Sequence, residues 1–207
     1  MTRSVVVIDY GAGNLRSVVK ALEHVEAAVT LTDDPWEVRG ADRVILPGQG
    51  HFGQCMTRLE TSGLGDAVRE FVASDRPFLG VCVGMQLLFA ESEEARGRTG
   101  FGFIPGVVRK IRTEQPLPHV GWNEVVFTGS AADDPLLDGL ADAASRYFYH
   151  VHSYAAHEVP VEDVLGWCEY DDRFATLVGR DNVRGVQFHP EKSQEDGLRL
   201  LGNFLRL

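Results

Sequence analysis

Residues 78–88 read FLGVCVGMQLL, and this stretch decides how the whole chain folds. A short apolar run meets a helical pattern at Cys82, with Gly80 and Gly84 two residues to either side. A side chain held on such a sharp turn forces its neighbours against adjoining backbone, and glycine relieves the clash. The pattern is that of a nucleophile elbow with cysteine in place of serine, followed by a helix N-terminus that would stabilise a thiolate. The competing interpretation is a small buried cysteine in a glycine-containing turn.

Strand and helix patterns alternate on either side of this elbow. Continuous apolar runs predict buried strands over residues 4–9, 43–46 and 77–81. Apolar residues at helical spacing predict helices over residues 14–26 and 85–94, and a helical surface between residues 59 and 72. This alternation is typical of a largely parallel α/β sheet.

The second half of the chain changes character. Closely spaced strand candidates follow one another with few helical stretches between them, so antiparallel hairpins are expected. They lie at residues 107–111, 124–127, 146–149, 164–169, 176–178 and 184–188. The last segment, residues 195–205, is a predicted helix, with Ser193 and Asp196 spaced as a capping-box variant. We therefore predict one α/β domain over residues 1–207, with a mixed, mostly parallel central sheet and helices on both faces.

The charge balance argues against two classes of partner. The 207 residues carry 20 basic and 30 acidic side chains, a formal net charge of −10. Nucleic acids and anionic membranes both attract basic groups, so neither is an expected partner. The apolar runs fall short of the ~20 residues of a membrane span, and the N-terminal residues run straight into the predicted strand at residues 4–9, unlike a signal peptide.

Cysteine and histidine usage predicts neither a metal nor a cofactor. Cys55, Cys82 and Cys168 are odd in number and far apart, which disfavours a disulfide framework and a zinc site and indicates a reducing cytoplasm. The spacing of His150 and His152 is compatible with a metal, but with no third ligand nearby in sequence, ordinary strand histidines are expected. Residues 11–16, GAGNLR, fail as a dinucleotide fingerprint because arginine stands at the third glycine position.

A thiolate nucleophile needs a base, and the base needs a group that orients it. Residues 185–193, GVQFHPEKS, end a predicted strand at His189, where Pro190 breaks the ladder. Glu191 can return to the same side and accept a hydrogen bond from the imidazole, which favours the imidazolium. An arbitrary His-x-Glu is usually a surface pair. Here the elbow independently requires such a pair near the strand ends.

Residues 44–50, VILPGQG, form a strand that ends in a glycine loop. Backbone N–H groups of this loop could stand opposite Cys82 and bind a developing oxyanion. Taken alone, the loop is better explained as a simple Pro-Gly turn.

The elbow, the His-Pro-Glu strand end and the Pro-Gly loop together resemble the glutaminase site of class I glutamine amidotransferases. The three motifs span residues 47–191, most of the chain. The resemblance implies hydrolysis of glutamine to glutamate and ammonia. Cys82 would attack the side-chain amide, His189 would shuttle the proton and Glu191 would orient His189, after which the acyl-enzyme is hydrolysed.

Five segments narrow this resemblance to the glutaminase subunits of imidazole glycerol phosphate synthase. They are DYGAGNL at 9–15, GFIPG at 102–106, HVGWN at 119–123, YHVHSY at 149–154 and GVQFHPEKS at 185–193. The resemblance implies a heterodimer with a (β/α)8-barrel synthase subunit, through which ammonia passes to a ribonucleotide intermediate. The implied products are imidazole glycerol phosphate, bound for histidine, and an aminoimidazole carboxamide ribotide.

The same resemblance implies roles for individual residues. Gln86 and Glu94 align with positions that hold the α-amino acid end of glutamine. The remaining oxyanion and substrate contacts are implied at the backbone of Gly48, Gly50, Val83, His152, Ser153 and Tyr154. The positions implied to face the synthase and the ammonia entrance are Asn14, Trp122, Tyr149 and Lys192. Binding in the synthase is expected to complete the oxyanion hole, with freedom supplied by the two loop glycines.

Three positions depart from the family pattern. Gln49 stands where a small apolar residue is usual, His51 where a small residue is common, and His150 where an aromatic is usual. Two other hypotheses stay open at this point. One is the same chemistry for another acceptor, as in pyridoxal phosphate or anthranilate synthesis, and the other is a catalytically inactive docking subunit.

Overall fold

The computed structural model describes residues 3–207; Met1 and Thr2, with which the predicted domain and first segment begin, lie outside the described residues. The strands are β1 (Ser4–Ile8), β2 (Ala28–Thr32), β3 (Val44–Gly48), β4 (Phe78–Cys82), β5 (Glu91–Ser92), β6 (Val107–Lys110), β7 (His119–Phe127), β8 (Ser145–His152), β9 (Tyr154–His157), β10 (Val164–Tyr170), β11 (Asp172–Arg180) and β12 (Val183–Val186). The helices are α1 (Leu15–His24), α2 (Pro35–Gly40), α3 (Phe52–Thr61), α4 (Leu64–Val72), α5 (Val83–Gln86) and α6 (Gln194–Phe204).

The strands pair into one mixed sheet. Its central part has the order β2-β1-β3-β4-β12, and every neighbouring pair in it is parallel. Beyond β12 the order continues β11-β10-β7-β8, and these pairs are antiparallel. The predicted α/β class with a mixed, mostly parallel central sheet is confirmed, as are the antiparallel hairpins of the second half. Because parallel strands end at the same edge, β3, β4 and β12 bring their last residues together.

The burial of each strand determines whether its sequence pattern predicts it. In β1, Val5, Val7 and Ile8 are almost fully buried, and β3 and β4 are buried throughout, so these strands read as continuous apolar runs. At the edge of the sheet β2 is largely exposed, with Leu31 45% accessible. Neither a clean alternation nor a buried run marks β2, and the sequence analysis missed it.

The predicted helix over residues 85–94 is wrong. The helix ends at Gln86, and the chain continues through turns into β5. Phe101 N–H donates to Leu87 O at 2.8 Å, and Gly100 N–H donates to Ala90 O at 3.0 Å. These carbonyls therefore bond to a later segment of the chain and not to the N–H groups of a longer helix. The apolar pattern after Gln86 reflects burial in a turn, not a helical face.

The predicted capping box at Ser193 is also wrong, although α6 itself is confirmed. The Ser193 hydroxyl donates to His189 O at 2.7 Å and accepts from Tyr149 N–H at 3.0 Å. Its oxygen is therefore committed to the strand end and to β8 instead of the first turn of α6.

One hydrophobic cluster runs through both parts of the sheet. Its largest fully buried side chains are seven phenylalanines and several leucines and isoleucines, drawn from elements along the whole chain. This continuity supports the predicted single domain, whose limits at residues 1–207 stay a prediction. Within residues 3–207 the helices are all too short or too polar to cross a membrane.

Candidate active site

Cys82 lies on a strained turn at the carboxyl end of β4. Its φ is 55° and its ψ is −112°, a conformation that non-glycine residues rarely adopt. Close packing of backbone around the turn requires glycine: a Cβ on Gly84 would lie 1.9 Å from Leu46 O, and one on Gly80 would lie 2.6 Å from Gly84 O. The steric argument made from the two flanking glycines therefore holds. The thiol is 3% accessible.

The helix after the elbow is shorter than the sequence indicates. α5 is a single turn of four residues, Val83–Gln86. A macrodipole builds up from aligned peptides over several turns, so one turn gives a thiolate less support than the predicted ten-residue helix would. Other groups must supply part of that stabilisation.

His189 and Glu191 form a buried pair next to the elbow. β12 runs parallel to β4 with Val186 opposite Val81, and the chain then carries His189 into a 3₁₀ turn at Pro190–Lys192. His189 Nδ1 lies 2.8 Å from Glu191 Oε1, and the Glu191 side chain is 2% accessible. Because a carboxylate only accepts, Nδ1–H is the donor, which turns Nε2 away from Glu191.

The electrostatics of this pair favour an imidazolium. Burial opposes the charge, but Cys82 and Glu191 outweigh it and raise the pKa of His189 to about 10. Glu191 Oε2 is buried and has no hydrogen-bond partner among residues 3–207, so the carboxylate charge is neutralised mainly through His189. A histidine held in this way is protonated at neutral pH and can donate from Nε2.

The loop after β3 approaches Cys82 from the other side. Gly48 pairs with Cys82 in the parallel register, and a Cβ on Gly48 would lie 2.5 Å from Gly84 N. Gly50 has φ +104° and nothing within 4 Å of its Cβ position. The expectation that both glycines supply conformational freedom stays a prediction: Gly48 lies in β3, where an added Cβ would clash, and Gly50 has a positive φ with open space around it.

The two departures in this loop have local explanations. The Gln49 side chain is exposed, while its carbonyl accepts from the Cys55 thiol at 3.7 Å. His51 is the N-cap of α3, where its Nδ1 accepts from Gly53 N–H at 3.1 Å. The His51 side chain therefore caps α3, whereas the Gln49 side chain is exposed and only its backbone makes a contact.

The residues implied to hold the substrate's α-amino acid end lie near the elbow, and both are engaged within the chain. Gln86 Nε2 donates to Tyr154 O and to Gln187 Oε1, each at 3.0 Å. Glu94 Oε2 accepts from Phe52 N–H at 2.7 Å, at the start of α3. These contacts fix the two side chains relative to the elbow and to the glycine loop.

The segment His152–Tyr154 passes beside the nucleophile. The Cys82 thiol lies 4.0 Å from Val151 O, the residue just before this segment. Ser153 O accepts from Ile111 N–H at 3.0 Å, and Tyr154 O accepts from His152 Nδ1 at 2.9 Å. The segment is thus anchored to β6 and to its own side chains.

Three of the four predicted interface residues form one cluster. Trp122 and Tyr149 pack edge to face with ring centroids 6.3 Å apart, and Lys192 Nζ lies 5.7 Å from the Tyr149 ring. Asn14 is the exposed N-cap residue of α1 and donates to Ser17 Oγ at 2.8 Å. α1 packs against the turn that holds Lys192.

A buried histidine cluster lies behind the substrate segment. His152 Nε2 lies 3.3 Å from His119 Nδ1, and His119 stacks on His150. Burial lowers the pKa of all three, that of His152 to about 3. Among residues 3–207 no group of histidine, cysteine and acidic side chains is arranged to hold a metal. His150 is held by Phe148 O at 3.0 Å and Thr176 Oγ1 at 2.9 Å.

Sequence analysis missed Gln187 and His119. Gln187 is fully buried, and its Nε2 lies 3.8 Å from Cys82 Sγ. The signal was available, because residues two apart on an extended chain share a side, and Gln187 stands two residues before His189.

The comparisons with known proteins agree with this geometry. The family model described as glutamine amidotransferase class-I matches residues 6–207. Among solved structures, PurLQS from Thermotoga maritima superposes with a TM-score of 0.76 at 18% identity and covers 100% of this chain and 99% of that chain. A structure titled glutamine amidotransferase superposes with a TM-score of 0.75 at 18% identity, over 98% and 99% of the two chains. At that identity they show the fold alone. Fold and family model together define a class I glutamine amidotransferase.

Relatives of higher sequence identity identify a family within this class. A protein of Nitrosomonas europaea named imidazole glycerol phosphate synthase subunit HisH is 46% identical over 214 positions, 98% of each chain. A protein of the same name from Methylococcus capsulatus is 47% identical over 213 positions, 98% of this chain and 96% of its own. The chain therefore belongs to the HisH subunit family, and the resemblance found in the sequence is confirmed.

Proposed function

We propose that this chain hydrolyses glutamine to glutamate and ammonia and passes the ammonia to a (β/α)8-barrel synthase subunit, with which it forms a heterodimer. The barrel would make imidazole glycerol phosphate and aminoimidazole carboxamide ribotide in histidine biosynthesis. The observation that carries the proposal is the strained Cys82 elbow beside the buried His189–Glu191 pair, in a chain of the HisH family.

The geometry suits acyl transfer through a thioester. Cys82 Sγ attacks the side-chain amide carbon of glutamine, and the carbonyl oxygen becomes an oxyanion. His189 donates its Nε2 proton to the departing nitrogen, so ammonia leaves and a thioester remains. His189, now neutral, takes a proton from water, whose oxygen attacks the thioester and releases glutamate. Throughout, Glu191 holds Nδ1–H and stabilises the imidazolium.

Backbone and side chains around the elbow would hold the substrate. N–H groups at Gly48, Gly50 and Val83 are the proposed oxyanion donors. Gln86, Glu94 and the segment His152–Tyr154 are the proposed contacts of the α-amino acid end. Gly48 supports this set through its pairing with Cys82 in the sheet register, and Val83 through its place directly after Cys82.

The partner-facing side is the Trp122, Tyr149 and Lys192 cluster with Asn14. Trp122 is 46% accessible, an exposed aromatic of the kind that protein interfaces bury. The preferred acceptor is the imidazole glycerol phosphate synthase barrel, because the chain's identity to HisH subunits extends over nearly its full length. We place the protein in the cytoplasm; its three cysteines are free thiols, which suits a reducing compartment.

The test is to co-purify the chain with a barrel synthase and to measure glutamine-dependent and ammonia-dependent turnover. Cys82→Ala should abolish glutamine-dependent turnover and leave ammonia-dependent turnover intact, since only the acyl step needs the thiolate. Cys168→Ala is the matched control, because Cys168 is buried in β10 away from the elbow and should be replaceable with little kinetic effect. Ordinary glutamine-dependent turnover by Cys82→Ala would overturn the assignment.

A further inference from the structure

A buried carboxamide lies between the nucleophile and the substrate side of the site. Gln187 is fully inaccessible, and the mechanism above does not use it. Its Nε2 lies 3.8 Å from Cys82 Sγ, and its Oε1 lies 3.0 Å from Gln86 Nε2. Both ends of the amide are therefore occupied, one by the sulfur and one by another amide.

The orientation of this amide follows from a backbone carbonyl. Tyr154 O can only accept, so the Gln86 atom that lies 3.0 Å from it must be the nitrogen. That nitrogen also faces Gln187, whose nearer atom must then be its oxygen. The remaining end of Gln187, the one at Cys82, is consequently the NH₂ group. A donor, not an acceptor, points at the sulfur.

The frame that holds this donor is rigid. Gln187 N–H donates to Thr176 O at 2.8 Å, which continues the ladder between the two strands beyond β12. Tyr154 O also accepts from His152 Nδ1 at 2.9 Å, so the carbonyl that sets the orientation is itself pinned. Burial on all sides leaves the side chain of Gln187 no solvent into which it could turn.

A donor at this place favours the charged form of the nucleophile. Hydrogen bonds to an ionised acceptor are stronger than those to its neutral form. On the opposite side Val151 O, 4.0 Å from the sulfur, accepts only from S–H and favours the thiol. With α5 reduced to one turn, the Gln187 amide is a fixed donor that offsets this carbonyl.

We propose that Gln187 is a positioning residue that holds Cys82 Sγ in line with His189 and stabilises its thiolate through a donated hydrogen bond. The inference rests on the proposed function, because it takes Cys82 as the nucleophile. The segment after β12 would then carry two functional side chains: His189 as the proton donor and Gln187 as the group that stabilises the thiolate.

The test measures the rate of alkylation of Cys82 by iodoacetamide against pH in the full chain, with the modified cysteine located by peptide mapping. Gln187→Met keeps length and burial but removes the donor, and Gln187→Glu places oxygens at both ends. In each variant the pH of half-maximal rate should rise by about 1–2 units, the strength of a hydrogen bond to a charged group. The shift should be larger for Gln187→Glu, because its carboxylate repels the thiolate.

Thr176→Val is the matched control. It removes another buried polar group beside Gln187 but keeps the carbonyl that Gln187 N–H uses, and it does not touch the sulfur. Its half-maximal pH should equal that of the unmodified chain. In the complex with the barrel, both Gln187 variants should lose kcat for glutamine, and ammonia-dependent turnover should persist. KM should change little in Gln187→Glu, which keeps the oxygen that Gln86 Nε2 contacts, and should rise in Gln187→Met, which loses it.

Thermal melting shows whether each variant is folded, and the two substitutions differ enough in polarity for one to remain informative. Wild-type half-maximal pH in both folded variants would overturn the inference. Failure of the proposed function would look different: the unmodified chain would not turn over glutamine with the barrel partner, yet its alkylation profile would still report the donor.

Discussion

β3 and β12 flank β4, and they place different kinds of group beside Cys82. The β12 side presents polar side chains whose partners are all within the chain: His189 to Glu191, Gln187 to Gln86, and Ser193 to His189 O. The β3 side presents the backbone of the glycine loop, which is closely packed at Gly48 and has open space at Gly50. The proposed acid–base pair is thus formed within this chain, while the proposed oxyanion loop has open space at Gly50.

This difference locates where a partner can control the rate. One missing oxyanion donor costs on the order of 10²–10³ in rate, or about 2.7–4 kcal/mol. A partner that reoriented the peptide at Gly50 would therefore change the rate by a factor of that size with no change on the β12 side. A glutaminase that ran at full speed without its acceptor would waste glutamine, so we expect the isolated chain to be slow.

The largest expected effect lies on the β12 side. His189→Ala should lower glutamine-dependent turnover by at least about 10³-fold, nearly as much as loss of Cys82, because triad members act as a unit. Steady-state kinetics of the complex measure this loss, and ammonia-dependent turnover is the internal control. Unchanged glutamine turnover would redirect the search to another histidine.

Glu191→Gln serves as the graded companion of that variant. It keeps the shape and a hydrogen bond but loses the charge that raises the pKa of His189. The loss of rate should be smaller than for His189→Ala. The alkaline limb of the pH–rate profile should move to lower pH, since a lower pKa means that the imidazolium is lost earlier as pH rises.

Next in size is the contrast between the two loop glycines. Gly48→Ala forces a Cβ against Gly84 N and should cost about 1–3 kcal/mol of stability, as overpacking does, together with most glutaminase activity. Gly50→Ala meets no neighbouring atom and should act through backbone strain on the loop, lowering partner-stimulated turnover more than stability. Urea unfolding measures the stability of both variants, and steady-state kinetics measure their turnover. Equal destabilisation by Gly48→Ala and Gly50→Ala would contradict the expected difference between the two glycines.

Asn14→Ala tests how the partner side reaches the adjustable loop. The Cβ position of Gly13 lies 4.0 Å from Gln49 N, so the turn before Asn14 abuts the β3 loop. Partner- and ligand-stimulated turnover should fall, while the basal rate of the isolated chain stays nearly unchanged. An equal fall in both rates would assign Asn14 to the fold or to the site and remove its coupling role.

The smallest expected effect concerns the neutral histidines behind the substrate segment. The pKa of His150 is lowered by burial, so unfolding takes up a proton once the pH is below the unfolded value near 6.5. Stability should be fully present above that pH and fall as the pH drops, by about 1.4 kcal/mol per histidine between pH 7.5 and 5.5. Urea unfolding at pH 7.5 and pH 5.5 measures this loss of free energy. In His150→Phe the loss between the two pH values should be smaller than in the unmodified chain by about 1.4 kcal/mol.

Sequence analysis could predict the elements whose cause is local. Cys82 between two glycines and His189 before Pro190 are readable because strand ends and close backbone approach leave their mark within a few residues. The end of α5 could not be predicted, because it depends on hydrogen bonds from the N–H groups of residues 100–101 to carbonyls of residues 87–90. The position of Gln187, two residues before His189, could have been noted, but its role could not be predicted, because that role depends on a contact with Gln86, which Tyr154 O orients, far away in the chain.

The packing of Gly84 against Leu46 O has an evolutionary consequence. Replacing Cys82 removes a reaction but leaves the shape of the turn intact, whereas any side chain at Gly84 drives a carbon into the neighbouring strand. A lineage that abandoned glutamine hydrolysis and kept only its place beside a partner would therefore lose the cysteine first and the glycine last. In sequences of this fold, the glycine marks descent of the architecture, and the cysteine marks retention of the chemistry.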